Sequence, residues 1–261
     1  MKKRLISAFI ALIICVPLIV KGGTLFYVLA ILLSLIGLRE FINLFIKDDF
    51  TKFVTYIVFL TIIATNLFKT NFDNLLSSNI IGIILLMFSI LMLYNYKKKD
   101  LDISKCFYLF GVTLFLGISF SIVIINRNIG LLNFLYLLII PFMNDTFAHL
   151  IGSVIGKHKI NAISPNKSWE GCIAGLVFGT LISSLFYLYF INVKVDLVML
   201  IVVNMFLSVV GQLGDLFFSL IKRNYKIKDF SNLMPGHGGV LDRLDSVIFV
   251  MLASTFILTI L

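Results

Sequence analysis

Long apolar stretches separated by short polar linkers follow one another along the whole chain. A helix needs about 20 mostly apolar residues to cross the roughly 30 Å hydrocarbon layer of a bilayer. Nine stretches approach or exceed this length: residues 5–20, 24–46, 53–68, 79–96, 106–126, 131–156, 171–193, 198–221 and 241–261. These stretches predict an all-α, polytopic integral membrane protein with about nine transmembrane helices.

The amino-acid composition agrees with a membrane protein. Of the 261 residues, 60% are hydrophobic and 13% are charged, whereas a soluble domain carries roughly 25% charged residues. So little polar surface cannot cover a globule in water, which excludes a soluble, a disordered or a disulfide-stapled secreted protein. The three cysteines (Cys15, Cys106 and Cys172) lie in or beside apolar stretches, and we interpret them as small core residues rather than metal or redox ligands.

The basic residues indicate how the chain crosses the membrane. The first apolar stretch follows Met-Lys-Lys-Arg and resembles a secretory signal, but no small-x-small cleavage site follows it, so we expect an uncleaved first helix. With nine spans, 16 lysines and arginines lie on the side of the N-terminus and four on the opposite side. Cytoplasmic segments carry an excess of these residues. We therefore predict a multi-pass protein of the plasma membrane with a cytoplasmic N-terminus.

The same distribution explains the net charge of +9. A basic cytoplasmic rim attracts anionic lipid head groups, so this charge predicts contact with the lipid bilayer and no nucleic-acid partner. In residues 171–193, Gly171, Gly175 and Gly179 are spaced four apart, which lets another helix approach closely. This helix is the only hint of a homodimer, and the oligomeric state stays open.

Charged residues divide the chain into two parts. Residues 1–130 have almost none inside apolar stretches, and we predict a lipid-facing helical scaffold. The exception is the pair Arg39 and Glu40, which we expect to extend to the cytoplasmic interface and to be structural. Residues 131–261 hold several ionisable groups at membrane depth, where such groups are expensive and usually functional. We therefore predict that this second part carries the catalytic site.

The candidate residues of the second part lie at one end of its predicted helices and in the linkers between them. They are Asp145 and His149 in the sixth stretch, Asp215 and Ser219 in the eighth, and Asp242, Arg243 and Asp245 at the start of the ninth. Before the ninth stretch come the cations Lys222, Arg223, Lys226 and Lys228, then glycines at 236, 238 and 239. Cations and glycine-flanked amides bind phosphates, and carboxylates are the ligands that Mg²⁺ prefers. Together they predict phosphoryl or nucleotidyl transfer at the membrane interface.

Each of these features alone has a simpler interpretation. The four cations are typical of a cytoplasmic linker, His237 alone is more often a structural hydrogen-bonding residue, and Asp245 alone could pair with Arg243 or cap a helix. Their combination within residues 219–246 favours an enzyme. An ion-coupled transporter using buried carboxylates remains the alternative; it explains Asp145 and Asp215 but not the glycine-rich linker.

Residues 219–246 closely resemble the signature of the phosphatidate cytidylyltransferases (CDP-diacylglycerol synthases). The matching residues are Ser219, Lys222, Arg223, Lys228, Asp229, His237, Gly238, Gly239, Asp242, Arg243 and Asp245. An earlier segment is similar to two further motifs of the family, through Asp145, Ala148, Ile163, Ser164, Pro165, Lys167, Glu170 and Gly171. The resemblance covers roughly residues 140–250. The chain departs from the family pattern at Phe147, His149, Ser153, Ser231, Asn232 and Met234, and residues 157–165 are about one residue shorter.

The resemblance implies condensation of CTP with phosphatidic acid to CDP-diacylglycerol and pyrophosphate, in phospholipid biosynthesis. It implies catalytic roles for Lys222, Arg223, His237, Asp242 and Arg243, and substrate contacts from Asp145, Ser164, Lys167, Ser219, Lys228, Asp229, Gly238 and Gly239. Asp215, Asp242 and Asp245 are the expected ligands of Mg²⁺, with a second metal ion left open. The second alternative is another membrane nucleotidyl or phospho-alcohol transferase, but the Asp-Gly…Ala-Arg pattern of the CDP-alcohol phosphotransferases is absent. A catalytically inactive relative is the third alternative.

Overall fold

The computed structural model describes residues 2–98, 102–160, 164–165, 167–192, 194–234, 236 and 238–257. Nine helices and no strand lie within these residues. They are α1 (Lys2–Lys21), α2 (Gly23–Ile42), α3 (Asp49–Asn66), α4 (Ser78–Lys98), α5 (Ile103–Ile129), α6 (Leu131–Ile155), α7 (Trp169–Phe190), α8 (Leu197–Asn224) and α9 (Leu241–Ile257). Each predicted apolar stretch corresponds to one helix, so the predicted all-α architecture is confirmed.

Six of the described helices are long and apolar enough to cross a membrane, namely α2, α4, α5, α6, α7 and α8. The protein is therefore a multi-pass membrane protein, as predicted. Helices α1, α3 and α9 do not reach the same length and hydropathy within the described ranges. The last predicted residues of the ninth stretch, 258–261, lie outside those ranges. The count of nine spans stays a prediction.

Polar residues of the linkers fix where several helices begin. The carboxylate of Asp48 accepts a hydrogen bond from the backbone amide of Thr51 at 2.8 Å and caps α3. Asp196 caps α8 in the same manner, and the hydroxyl of Ser168 caps α7 by accepting from the amide of Gly171. Because the first amides of a helix have no partner inside the helix, such caps define its first turn.

The chain divides into two compact units, of which the first comprises Met1–Asn128 and Phe230–Leu241. Within this unit, Arg127 of α5 donates hydrogen bonds to the carbonyls of Ile19 and Val20 at 2.7 and 3.0 Å. These carbonyls belong to the last turn of α1, where they lack helical partners. Gly22 follows with φ 68°, and a Cβ there would overlap the Arg127 guanidinium. The end of α1 is thus held by α5.

Glu40 corrects an expectation from the sequence. It does not extend to an interface but is buried, whereas its neighbour Arg39 is exposed. The Glu40 carboxylate accepts hydrogen bonds from Ser231, Val240 and Leu241 of the segment that ends this unit. A buried carboxylate is tolerated when hydrogen bonds replace its water, and these three donors provide that replacement.

The second unit comprises Ile129–Asp229 and Asp242–Leu261, and in it α6 and α7 pack closely through glycines. A Cβ on Gly171 would lie 2.6 Å from the carbonyl oxygen of Ala148, and one on Gly175 would lie 2.5 Å from that of Asn144. Gly179 faces Asn144 and Ser208. The predicted close helix packing is confirmed. Because these glycines contact helices of the same chain, they no longer support a homodimer.

Buried polar side chains join the helices of the second unit. The amide of Gln212 in α8 donates to the Asn144 side chain at 2.8 Å and to the Cys172 carbonyl at 2.9 Å. Asn144 in turn donates to the carbonyl of Ser208. Hydrogen bonds between membrane helices are worth roughly 0.6–2 kcal/mol each. This network ties α6, α7 and α8 together one residue away from Asp145.

Candidate active site

Residues of helices α6, α7, α8 and α9 and of the linkers beside them line a partly open cavity of about 380 Å³ in the second unit. Its lining contains five carboxylates but only three cationic side chains. The lining residues are Asp145, Ala148, His149, Ser164, Lys167, Ser168, Gly171, Cys172, Asp215, Lys222, Asp229, Asp242, Arg243 and Asp245. The structure therefore gathers in one place most of the residues that the sequence singled out in this part of the chain.

An ion pair between Lys167 and Asp215 joins the linker before α7 to α8. The Lys167 ammonium contacts Asp215 Oδ2, and the Ser219 hydroxyl donates to Asp215 Oδ1 at 3.2 Å. Burial disfavours the charged lysine, but the attraction of Asp215, together with the smaller attraction of Asp145, outweighs this effect. The pKa of Lys167 is consequently raised above its ordinary value of 10.5. Lys167 thus stays cationic at physiological pH.

A second ion pair joins α8 to the first turn of α9. The ammonium of Lys222 donates to Asp242 Oδ1 at 2.7 Å, and their side chains are only 11% and 2% exposed. A carboxylate in the first turn of a helix is also stabilised by the positive end of the helix dipole. The two pairs have the same composition, one lysine and one aspartate, and both line the cavity.

Asp145 and Asp245 add carboxylates from α6 and α9. Asp245 is buried, and its Oδ1 accepts a hydrogen bond from the amide of Ser246 at 2.7 Å. Gly214 allows α8 to approach α9 here, because a Cβ at this position would lie 2.8 Å from the Asp245 carbonyl oxygen. This approach brings the carboxylates of Asp215 and Asp245 to the same cavity.

The linker between α6 and α7 is shaped by a short antiparallel contact. Lys159 and Ser168 form an isolated bridge, and the amide of Trp169 donates to the carbonyl of His158 at 2.9 Å. The His158 ring nitrogen Nδ1 lies 2.6 Å from Glu170 Oε1. The folded-back linker holds Lys167 and Ser164 at the cavity, as their predicted substrate contacts require.

Other predicted residues lie elsewhere. Arg223 and Lys228 are exposed and are not among the described residues that line the cavity, and Arg223 Nη1 donates to the carbonyl of Ile227. His237 lies outside the described residues. Gly238 and Gly239 belong to the first unit. The amide of Gly238 donates to the Met234 carbonyl at 3.1 Å. The substrate contacts expected of Gly238 and Gly239 stay predictions.

Ser168 and Cys172 also line the cavity, and Glu40 is buried, although the sequence pattern predicted none of these positions. Ser168 directly precedes an apolar helix with Gly171 three residues on, a signal that predicts a helix cap but not a cavity position. Cys172 and Glu40 have no local signal, because their surroundings come from residues distant in the chain.

The donor chemistry of the cavity fits Mg²⁺. No group of three or more His, Cys, Asp or Glu side chains in the described part of the chain is arranged to hold a metal by itself. Mg²⁺, however, is usually bound by one or two carboxylates together with substrate phosphates. The lining has two more carboxylates than cationic side chains, and one divalent ion balances that excess. Asp215, Asp242 and Asp245 therefore remain the predicted ligands.

Fold and cavity together define a class: a multi-pass membrane protein in which lysines, an arginine and carboxylates line one cavity. The family model described as "Cytidylyltransferase family" matches residues 2–261. The chain belongs to this family and is a nucleotidyltransferase.

Curated relatives resemble the chain over nearly its full length. One from Staphylococcus haemolyticus is 34% identical over 258 residues, covering 96% of each chain. One from Staphylococcus aureus strain COL is 37% identical over 258 residues with the same coverage, and one from Staphylococcus epidermidis is 34% identical over 255 residues, also 96% of each. All three are named phosphatidate cytidylyltransferase.

Proposed function

We propose that the protein is a phosphatidate cytidylyltransferase, which condenses CTP with phosphatidic acid to give CDP-diacylglycerol and pyrophosphate. The observation that carries the proposal is the pair of lysine–aspartate contacts, Lys167 with Asp215 and Lys222 with Asp242, facing one cavity of a cytidylyltransferase-family chain. The names of the full-length relatives support the choice of substrates.

In the proposed reaction an oxygen of the lipid phosphate attacks the α-phosphorus of CTP. The new bond joins this phosphorus to the lipid phosphate, and the bond from the α-phosphorus to the oxygen bridging to the β-phosphorus breaks. Pyrophosphate leaves with that electron pair. Phosphatidate is already ionised at neutral pH, so the attack releases no proton and needs no general base. Catalysis then depends on positioning and on suppressing repulsion between two polyanions.

The cationic side chains of the cavity suit that task. Lys222 and Arg243 would hold phosphates of CTP. Lys167, in the linker between α6 and α7, would also contact a phosphate. Each ammonium already faces a carboxylate, so it is held in place before substrate arrives. Preorganised charges of this kind stabilise the developing charge on a leaving group without further rearrangement.

Asp215, Asp242 and Asp245 would hold Mg²⁺. The ion would supply charge neutralisation on the phosphate oxygens. Asp215 and Asp242 each contact a lysine through one oxygen, so the lysines hold these carboxylates in a fixed orientation. Asp145, across the cavity on α6, would complete the acidic surface.

We further propose that the site faces the cytoplasm from the plasma membrane. Lys167 lies in a lysine-rich linker and Lys222 lies in the last turn of α8, next to another. The distribution of basic residues assigns both of these linkers to the cytoplasm. CTP reaches the protein from that side. The second substrate is a membrane lipid, and a cavity among apolar helices suits it.

Pyrophosphate release by the detergent-purified protein tests the proposal. We expect release only when CTP, Mg²⁺ and phosphatidic acid are all present, and a loss of at least about a hundredfold in Asp242→Asn, because a charged group at the reacting phosphates is removed. Asp49→Asn removes the same charge from an exposed position outside the cavity lining and is expected to keep activity. Folded protein that releases no pyrophosphate would contradict the proposal and favour ion-coupled transport.

A further inference from the structure

Glu40 of α2 contacts the segment that leads into α9. Its Oε1 accepts the Ser231 hydroxyl at 2.6 Å and the Val240 amide at 2.9 Å, and its Oε2 accepts the Leu241 amide at 2.9 Å. These partners lie 191 to 201 residues further along the chain. Glu40 is only 5% exposed. A carboxylate from a distant helix thus acts as the N-terminal cap of α9.

The backbone at Gly239 lies close to Glu40. A Cβ on Gly239 would overlap the Glu40 carboxylate, so a larger residue there requires this carboxylate to move. Ser231 provides one of the three donors. Ser231 and Gly239 therefore both contribute to the surroundings of the same carboxylate.

Packing alone does not explain this arrangement. Among the described residues, Glu40 takes no part in the ion pairs of Lys167 with Asp215, of Lys222 with Asp242 or of His158 with Glu170. Burying a carboxylate without a cation is expensive unless well-aligned donors replace its water. An apolar side chain would fill the same place at lower cost but would leave the first amides of α9 unpaired.

Val240 and Leu241 immediately precede Asp242, the aspartate paired with Lys222. The conformation of these two residues therefore determines where α9 begins and in which direction the Asp242 side chain extends from the backbone. We propose that Glu40 is a positioning residue for Asp242. It acts through the backbone of Val240 and Leu241 and does not touch substrate. This inference rests on the proposed function, because it assumes that Asp242 serves catalysis.

Kinetics of Glu40 variants provide the first test. Displacing a catalytic group by about 1 Å can reduce a rate about a hundredfold, so kcat of Glu40→Ala should fall at least about tenfold. The KM for phosphatidic acid should change less than about threefold. Glu40→Gln keeps one acceptor oxygen and should retain intermediate activity. Arg39→Gln, an exposed neighbour on the same helix, is the matched control and should behave as wild type.

The steric relation between Glu40 and Gly239 gives a second test. Gly239→Ala should reduce kcat strongly in the wild-type background, because its Cβ would overlap the carboxylate. In a Glu40→Ala background the carboxylate is gone, so the added Cβ should reduce kcat by less than about threefold. Independent effects that multiply in the double variant would overturn direct coupling between the two positions.

Hydrogen exchange of the Val240 and Leu241 amides separates the contact from catalysis. We expect faster exchange in Glu40→Gln than in wild type or Arg39→Gln, whether or not the protein is active. Unchanged exchange would overturn the contact and leave the proposed function standing. Faster exchange with wild-type kcat per folded molecule would reduce Glu40 to a structural role and overturn the inference. An inactive wild type would instead overturn the proposed function, and the catalytic role of Glu40 with it.

Discussion

The ion pair between Lys222 and Asp242 allows stability and catalysis to be measured separately. Two unit charges 2.7 Å apart attract by about 6 kcal/mol at an effective dielectric constant of about 20. Desolvation of both groups offsets part of this attraction. Removing one partner, however, leaves the other charge buried and uncompensated, which typically destabilises a protein by about 3–5 kcal/mol. We therefore expect Lys222→Met to lower both Tm and activity.

The double variant Lys222→Met/Asp242→Leu removes both charges. A buried ion pair replaced by apolar residues is often as stable as the original, so the double variant should recover most of the lost Tm. Its pyrophosphate release should stay at the level of the single variants, since both catalytic charges are missing. Lys226 is an exposed cation just after α8, so Lys226→Met is the control and should change neither property.

The assay is thermal denaturation in detergent, run beside pyrophosphate release on the same preparations. A Tm of Lys222→Met equal to that of Lys226→Met would refute the energetic argument for the buried pair. A double variant that recovers activity together with stability would refute the catalytic assignment, because the pair would then serve folding alone.

Three further predictions concern packing, protonation and topology. Gly175→Ala places a Cβ 2.5 Å from a carbonyl oxygen of α6 and should lower the free energy of unfolding by about 1–3 kcal/mol, measured by thermal denaturation. Gly111→Ala, whose Cβ would have nothing within 4 Å, should leave it unchanged. Because the pKa of Lys167 is raised, its stabilising contact persists below pH 10.5 and is lost only as pH rises through the higher folded value. The Tm difference between wild type and Lys167→Met should thus stay constant from about pH 7 to about pH 9.5, and a difference that shrinks there would contradict this. In a background without the three native cysteines, an impermeant thiol reagent outside intact cells should label Lys194→Cys but not Lys47→Cys.

The positions of the helices could be predicted from the sequence because each apolar stretch is long and is bounded by polar residues. The stretch 131–156, for example, corresponds to α6 at Leu131–Ile155. The close approach of α7 to its neighbour was also predictable, since Gly171 and Gly175 lie on one face of the same helix. Both features depend on the spacing of residues within a single helix, and this spacing can be read from the sequence.

The pairings inside the site could not be predicted in this way. Sequence motifs identified Lys167, Asp215, Lys222 and Asp242, but which lysine meets which aspartate depends on how the linkers fold back onto the helices. The burial of Glu40 was missed for the same reason. Its three donors come from a segment about 200 residues away. The local sequence pattern shows that such a residue is charged and lies within an apolar stretch, but it does not show which residues it contacts.

The fate of labelled CTP tests the central claim, nucleotidyl transfer to a lipid phosphate, most directly. The purified protein would be incubated with Mg²⁺, phosphatidic acid and CTP that carries radioactive phosphorus at either the α- or the γ-position. The account predicts that the α-label enters the solvent-extracted lipid product and that the γ-label remains in water as pyrophosphate. Transfer of the γ-label to lipid would reveal a kinase, and absence of either label from lipid, in folded protein, would contradict the proposed reaction.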